Sequence, residues 1–415
     1  MRKLVILIFL PLIFGCGENS TQKKNSTSKN VPQPKQEYSE TQSPLEKVET
    51  PDVEEETLPE DKNFLENIHL TVDTILIDSK DAVINLQYRL SRASLSKDKN
   101  TLFTIHPQSA ILSKVDLNKK QLTQQIKFEK EGPNGVPKMI SHFQLLEGEM
   151  VFLSGFEKTG IYDSKAFLTQ NIKIAAKNFG SLSDSEESSL LHNISAYAPK
   201  SLVFSTPNDP DLKRISLAIY DWTSEKGKLL PLEDFGFLTQ FDLLFQEGIN
   251  SAVANTASVS TLINRDRLLI FSKGTANFYT YEIHSGKLSF HTPDLTLVPL
   301  QQTPPPKRRF SSIQEFEKAY FNLQAQVSYQ EFIFDDRRQV YYRFVIVPRP
   351  VSRDSDLGQG KVFLLAFDKN FRLMGETALP KLSKVPEFPF FKDGKLWSYV
   401  NVEDELGFAM MDFKF

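Results

Sequence analysis

The sequence predicts an all-β fold, a β-propeller of six blades with seven as the alternative count. Three observations carry this reading. From about residue 64 the chain restates one unit at roughly 50–70 residues, a period typical of radial arrays. Each unit holds three to four short runs rich in Val, Ile, Phe and Tyr, bounded by Gly, Asn, Asp or Lys turns, which is the content of one blade. An alternating strand with no unit before it, Leu70 to Asp78, is left to complete the blade built by the C-terminal residues, which removes the exposed edges of an open sheet.

Before that strand lie two segments of different character. Met1-Arg2-Lys3 places positive charge ahead of an apolar run from Leu4 to Phe14, too short for a lasting bilayer span and suited to an export signal. Ile13-Phe14-Gly15-Cys16 closes the run, and Cys16 is the only cysteine in 415 residues. This arrangement resembles the lipobox of bacterial lipoproteins, which implies removal of residues 1–15 and diacylation of the Cys16 thiol. Gly17 stands where an aspartate is associated with inner-membrane retention, and only Glu18 is acidic beside the cysteine. The resemblance therefore implies a cell-envelope address at the outer membrane, with the periplasmic leaflet favoured over the surface. Residues 16–63 are rich in Ser, Thr, Gln, Lys, Pro and Glu, with Pro32, Pro34, Pro44, Pro51 and the run Glu54-Glu55-Glu56. Such a segment cannot bury enough apolar surface to offset its ordering entropy, so it reads as a disordered tether. As a coil it would reach roughly 35–40 Å.

Residues 64–415 form the propeller domain. Its units run from Thr101 to Phe128, Met150 to Ile174, Ser201 to Leu230, Arg267 to Phe290, Gln339 to Leu379 and Lys395 to Phe413. Acids recur where strands end, at Asp116, Asp163, Asp221, Glu282 and Asp368, and are read as turn-forming. One helix interrupts the strands near residues 311–326. There Ile313, Phe316, Tyr320 and Leu323 follow helical spacing, and Ser312 with Glu315 suggests a capping box. Its apolar stripe is expected to pack on the propeller rim. Pro348 to Gly360 is polar and reads as a mobile loop.

Composition excludes several function classes. A net charge of −3 without a basic stripe argues against nucleic acid as a partner. Once Cys16 carries lipid, no thiol remains for a disulfide or a Cys-ligated metal. Gly-rich phosphate loops, a Gly-x-Ser-x-Gly elbow and a His-Glu-x-x-His helix are all missing from the sequence, and the six histidines are scattered. No metal, cofactor or catalytic set is therefore assigned. The candidate binding residues are Glu129, Glu131 and Asn134, in the segment Glu129-Lys130-Glu131-Gly132-Pro133-Asn134-Gly135, and Asp335 and Arg337, in the charged turn Asp335-Asp336-Arg337-Arg338. The first segment also reads as a connector between blades, and the second as a solvated, self-paired hairpin tip.

Taken with Val72-Asp73-Thr74-Ile75 and Phe367-Asp368-Lys369-Asn370-Phe371, the lipobox and the Glu-Gly-Pro-Asn-Gly segment resemble Bacteroidota lipoproteins of the domain-of-unknown-function 4221 family. The resemblance covers residue 64 to the end. It implies a six-bladed propeller and an envelope address, and it transfers no catalytic residue. The expected function is a non-enzymatic, membrane-tethered binding or scaffold module, its partners the membrane, through the lipid on Cys16, and an envelope protein, peptide or glycan. The alternative is a hydrolase or lyase directed at envelope material or polysaccharide. Facing carboxylates, or His with Glu or Asp, at the channel mouth would favour the enzyme.

Overall fold

The computed structural model describes residues 63–66, 68–180, 182–247, 250–255, 257–349 and 358–414. The export signal, Cys16 and the tether lie outside the described residues, as does most of the polar insertion after Pro348.

Six strands stand around one axis: Ala93–Leu95, His142–Leu145, Ser195–Tyr197, Val259–Asn264, Ser328–Asp335 and Glu387–Lys392. Each sends residues to the same central channel. Each also opens an antiparallel sheet, so there are six blades. Blade 1 continues through Thr101–Ile105, Ile111–Asp116 and Gln121–Lys127, and blade 2 through Val151–Ser154, Thr159–Tyr162 and Leu168–Asn171. Blade 3 uses Leu202–Ser205, Arg214–Asp221 and Lys226–Pro231, with the short strand Asn208–Asp209 also on Arg214–Asp221. Blade 4 uses Arg267–Ser272, Thr275–Glu282 and Leu288–His291, and blade 5 Val340–Pro348, Gly360–Phe367 and Leu373–Ala378.

Blade 6 is shared between the two ends of the chain. Lys395–Val402 and Glu405–Lys414 are completed by His69–Leu76, which pairs from His69 opposite Lys414 to Leu76 opposite Gly407. Ahead of this strand, Leu65 is fully buried between blades 5 and 6, and the Asn63 amide donates to the Glu376 carbonyl at 2.9 Å.

The strands read as nearly continuous apolar runs because both faces of each blade are covered. Successive side chains point to opposite neighbours. On Arg267–Ser272, Leu268 and Ile270 pack towards blade 3, while Leu269 and Phe271 pack towards blade 5. On Val340–Pro348, Tyr341 and Val345 face blade 4, while Tyr342 and Phe344 face blade 6. Six apolar clusters result, one between each pair of adjacent blades. Phe152, Phe204, Phe278 and Phe344 are completely buried in them, each contributing roughly 1.5–3 kcal/mol through burial.

The recurring acids close turns. The carboxylates of Asp116, Asp163, Asp221 and Asp368 each accept from backbone amides two to four residues on, as Asx-turns do. Glu282 differs, pairing with Arg267 on the neighbouring strand at 2.5 Å.

The helix forms at Ile313–Gln324, with two departures from expectation. No capping box is made, because the Glu315 carboxylate is drawn to Lys307 at 2.7 Å and the Ser312 hydroxyl donates to Gln314. The helix joins the apolar cluster between blades 3 and 4, as expected of a rim element, but does so alongside an added layer. Its Phe316 packs on Phe245 and Phe310 of an accessory sheet, formed by the hairpin Asp242–Glu247 and Asn250–Asn255 with Arg309–Phe310 alongside. A second, shorter helix, Asp184–Ser189, carries the capping box instead: Ser183 and Glu186 bond reciprocally. Glu186 is fully buried and also receives Arg214 at 2.8 and 2.7 Å.

Candidate functional site

Up-and-down blades place their turns alternately at the two ends of the ring. The starts of the inner strands and the turns between second and third strands share one end, and there the channel opens into a cavity of about 1180 Å³. Side chains reach it from every blade, among them Arg92, His142, Asn193, Thr261, Glu331 and Tyr399. Towards the strand ends the lining turns apolar, with Leu95, Leu145 and Ile263. At the opposite end Lys99 of blade 1 crosses to blade 5, donating to the Phe334 carbonyl and pairing with Asp336.

Two adjacent inner strands carry the same irregularity. In blade 5, Tyr329 faces Val345 and Phe332 faces Arg343, so Gln330 and Glu331 together oppose one residue. In blade 6, Glu387 faces Tyr399 and Phe390 faces Trp397, so Phe388 and Pro389 oppose one residue. A bulge of this kind bends the strand and re-aims side chains. Here it brings both Glu331 and Phe388 to the channel wall, Glu331 within the influence of Lys273 of blade 4 and Phe388 against Phe390 in the cluster between blades 6 and 1. Phe388 has φ +46, a left-handed conformation that is strained for a bulky residue.

The first bulge is held from behind by Arg343. This guanidinium is completely buried and donates to the carbonyls of Gln330, Ala276 and Ser272, each at 2.8 Å. It lies over the rings of Phe332, Tyr329 and Phe271. Burial lowers it to about 9, partly countered by Tyr329.

Glu331 meets channel water, but protein encloses its other sides. Burial therefore raises its carboxyl above the ordinary range, and Lys273 of blade 4 pulls it back part of the way. Its carboxylate has no hydrogen-bond partner among the described residues. His142 is held neutral: burial, with Arg92 nearby, lowers it to about 4. His192 is lowered as well, by burial. Two polar atoms of the lining, His142 Nε2 and the hydroxyl of the buried Tyr399, have no partner. At the mouth Arg89 pairs with Glu387, and Phe156, on the hairpin turn of blade 2, is 68% exposed.

None of the residues singled out from the sequence lines this channel. Asn134 accepts from the Leu168 amide at 3.2 Å, and the Gly135 carbonyl accepts from Tyr162 and Lys158, so that segment fastens the connector to blade 2. Glu129 and Glu131 are exposed beside it. Asp335 is buried, taken up by the amides of Arg337 and Arg338 and by the Arg338 guanidinium at 2.7 Å. Arg337 is exposed on the same turn, at the far end of the ring. That hairpin tip is not simply self-paired. Asp336 reaches Lys99, and Arg338 also donates to the carbonyls of Gly394 and Phe413. Among the described residues, no group of His, Asp and Glu is placed to hold a metal ion.

The family model described as domain of unknown function DUF4221 matches residues 62–378. The chain belongs to the DUF4221 family. A crystal structure of a DUF4221 member from Bacteroides vulgatus is similar at 15% identity, covering 84% of this chain and 98% of that one, with a TM-score of 0.63. A putative exported protein from Bacteroides fragilis is similar at 10% identity, covering 86% of this chain and 98% of that one, with a TM-score of 0.48. The Bacteroides vulgatus source of that DUF4221 structure fits the Bacteroidota lineage that the resemblance implied. A comparison with curated proteins finds no match. The DUF4221 match ends with the last strand of blade 5, and blade 6 follows it in the same ring.

Proposed function

We propose that this chain is a lipid-tethered binding module of the cell envelope, whose ligand enters the central channel. The observation that carries the reading is the channel itself: an open cavity lined from all six blades, with the Glu331 carboxylate exposed in its wall and without a hydrogen-bond partner among the described residues. A ligand entering the channel can reach that carboxylate directly. The lipid on Cys16 and the polar tether would hold the ring at the outer membrane, on the periplasmic leaflet.

The test places a photo-crosslinking phenylalanine at either end of blade 2, in the full chain and in native cells. Phe156 lies at the channel mouth, and Phe167 is exposed on the turn at the opposite end. Adducts from position 156 and not from 167 are expected. Equal labelling at both positions, or none at 156, would remove the channel from the reading. In the same cells Cys16→Ser should abolish fatty-acid labelling and release the protein from the membrane. Retention of both would end the tether assignment.

A second reading, a hydrolase or lyase acting on envelope polysaccharide, draws on the raised Glu331 carboxyl. A carboxyl raised by burial holds its proton more firmly than a free one, which is the direction proton donation needs. New reducing ends released from polysaccharide by the full chain, and lost in Glu331→Gln, would move the assignment there.

A further inference from the structure

We propose that the channel recognises a neutral, hydroxyl-rich ligand, a saccharide chain, which stacks on Phe388 and Phe156 while Glu331 accepts from its hydroxyls. This rests on the channel being a ligand site and adds the chemical class.

Charge balance comes first. The lining holds the cations Arg89, Arg92 and Lys273 against the carboxylates Glu187, Glu331 and Glu387. The two lining histidines are both biased towards the neutral form. Equal numbers of opposite charges leave the lining without a net charge to select an anion or a cation. A polyamine would meet Lys273 beside Glu331 and Arg89 beside Glu387, and a polyphosphate would meet three carboxylates. A neutral ligand meets neither penalty.

The second argument is the pairing of groups made by the twin bulges. They bring a carboxylate and an aromatic ring to the channel wall from adjacent inner strands, and Phe388 is held in a left-handed backbone conformation that is strained for a bulky residue. Strain retained at a wall residue points to a positioned group. A sugar ring offers a C–H face to an aromatic ring and vicinal hydroxyls at its edge, which a carboxylate can accept two at a time. Phe156 repeats the apolar surface across the mouth.

Third, the lining supplies small hydroxyl and amide groups rather than a uniform apolar wall. Ser94 and Ser260 have no internal side-chain partner among the described residues, and the Tyr399 hydroxyl and His142 Nε2 are unpaired. Ligand hydroxyls both donate and accept, so they suit the serine hydroxyls of the wall. A cavity of about 1180 Å³ has room for more than a single sugar ring.

The experiment titrates the purified full chain with neutral oligosaccharides of α- and β-linked hexoses and N-acetylhexosamines. Spermidine is the cationic probe and zwitterionic tetraglycine the peptide probe, and binding is read by calorimetry and by saturation-transfer NMR. At least one neutral oligosaccharide should bind. Its affinity should fall at least tenfold in Phe156→Ala and in Glu331→Gln, and several-fold in Tyr399→Phe, with no change in Phe167→Ala. Phe156 is too exposed, and Tyr399→Phe too conservative, for these losses to be failures of folding. Binding of spermidine or tetraglycine alone overturns the saccharide class and keeps the channel as a site. Binding of no probe also overturns the class, while the photo-adducts at position 156 decide the channel separately. Saccharide binding that survives every channel substitution overturns both readings.

Discussion

Arg343→Met tests whether the channel wall is held by a buried cation. In the folded ring the guanidinium makes three hydrogen bonds of 2.8 Å to carbonyls and lies over three rings. Bonds from a charged donor contribute about 1.5–3 kcal/mol each, so about 4–9 kcal/mol for the three. The ring contacts add about 1–2 kcal/mol. Against this stands the burial that lowers the group from 12.5 to about 9, which costs the charged form about 5 kcal/mol. The difference centres near 3 kcal/mol in favour of arginine. Methionine retains much of the volume and no donor, leaving the three carbonyls without that partner. For a ring of about 350 residues the unfolding entropy is roughly 0.7 kcal/mol per kelvin, so Tm should fall about 4 °C. Thermal unfolding of the full chain, followed by the fluorescence of Trp222 and Trp397, reads this directly. A variant as stable as the parent, or more so, would refute the reasoning: the desolvation of the cation would then outweigh its bonds.

Two more predictions concern stability. His142 is lowered to about 4 in the folded ring, against 6.5 for a free imidazole. The unfolded chain therefore takes up a proton that the folded chain resists between these values, and stability rises with pH across pH 4 to 6.5. This contribution is about 3 kcal/mol, so urea midpoints of His142→Asn should lose much of the parent's decline between pH 7 and 4.5, and equal slopes would contradict it. Removing the strand His69–Leu76 strips eight residues from the outer edge of blade 6 and leaves Glu405–Lys414 unpaired. Loss of soluble, cooperatively unfolding protein is expected, and a variant that unfolds like the parent would argue against closure by this strand.

The blades were legible because each repeats a local code: apolar runs long enough to face two neighbours, and aspartates placed to close the turns. The closing strand was legible because Leu70 to Asp78 alternates with no unit before it. The accessory sheet was missed, since Asp242–Asn255 breaks the period and pairs with Arg309–Phe310 far along the chain. The helix Asp184–Ser189 is too short and too polar to show a periodic stripe. The channel was illegible for a deeper reason. Its wall takes a few residues from each of six strands dispersed over some 300 residues, and no local spacing relates Arg92, His142 and Glu331. One trace was visible: Gln330-Glu331 is a polar pair between Tyr329 and Phe332-Ile333-Phe334, where a fully covered strand should stay apolar. The segments with the strongest turn chemistry, around Asn134 and Asp335, drew attention for the same local legibility, and the structure uses both as fastenings.

Closure by His69–Leu76 also sets an order of events. This strand is made well over 300 residues before its partner, Glu405–Lys414. Contacts of such long sequence separation form slowly, because the loop must close before any bond rewards it. Until Glu405–Lys414 arrives, the earlier strand waits with its backbone unpaired and Leu70 and Ile75 uncovered, a state prone to association with other chains. A ribosome stalled within blade 6 would thus leave five complete sheets and two open edges, and the closure of the ring turns on one ten-residue strand.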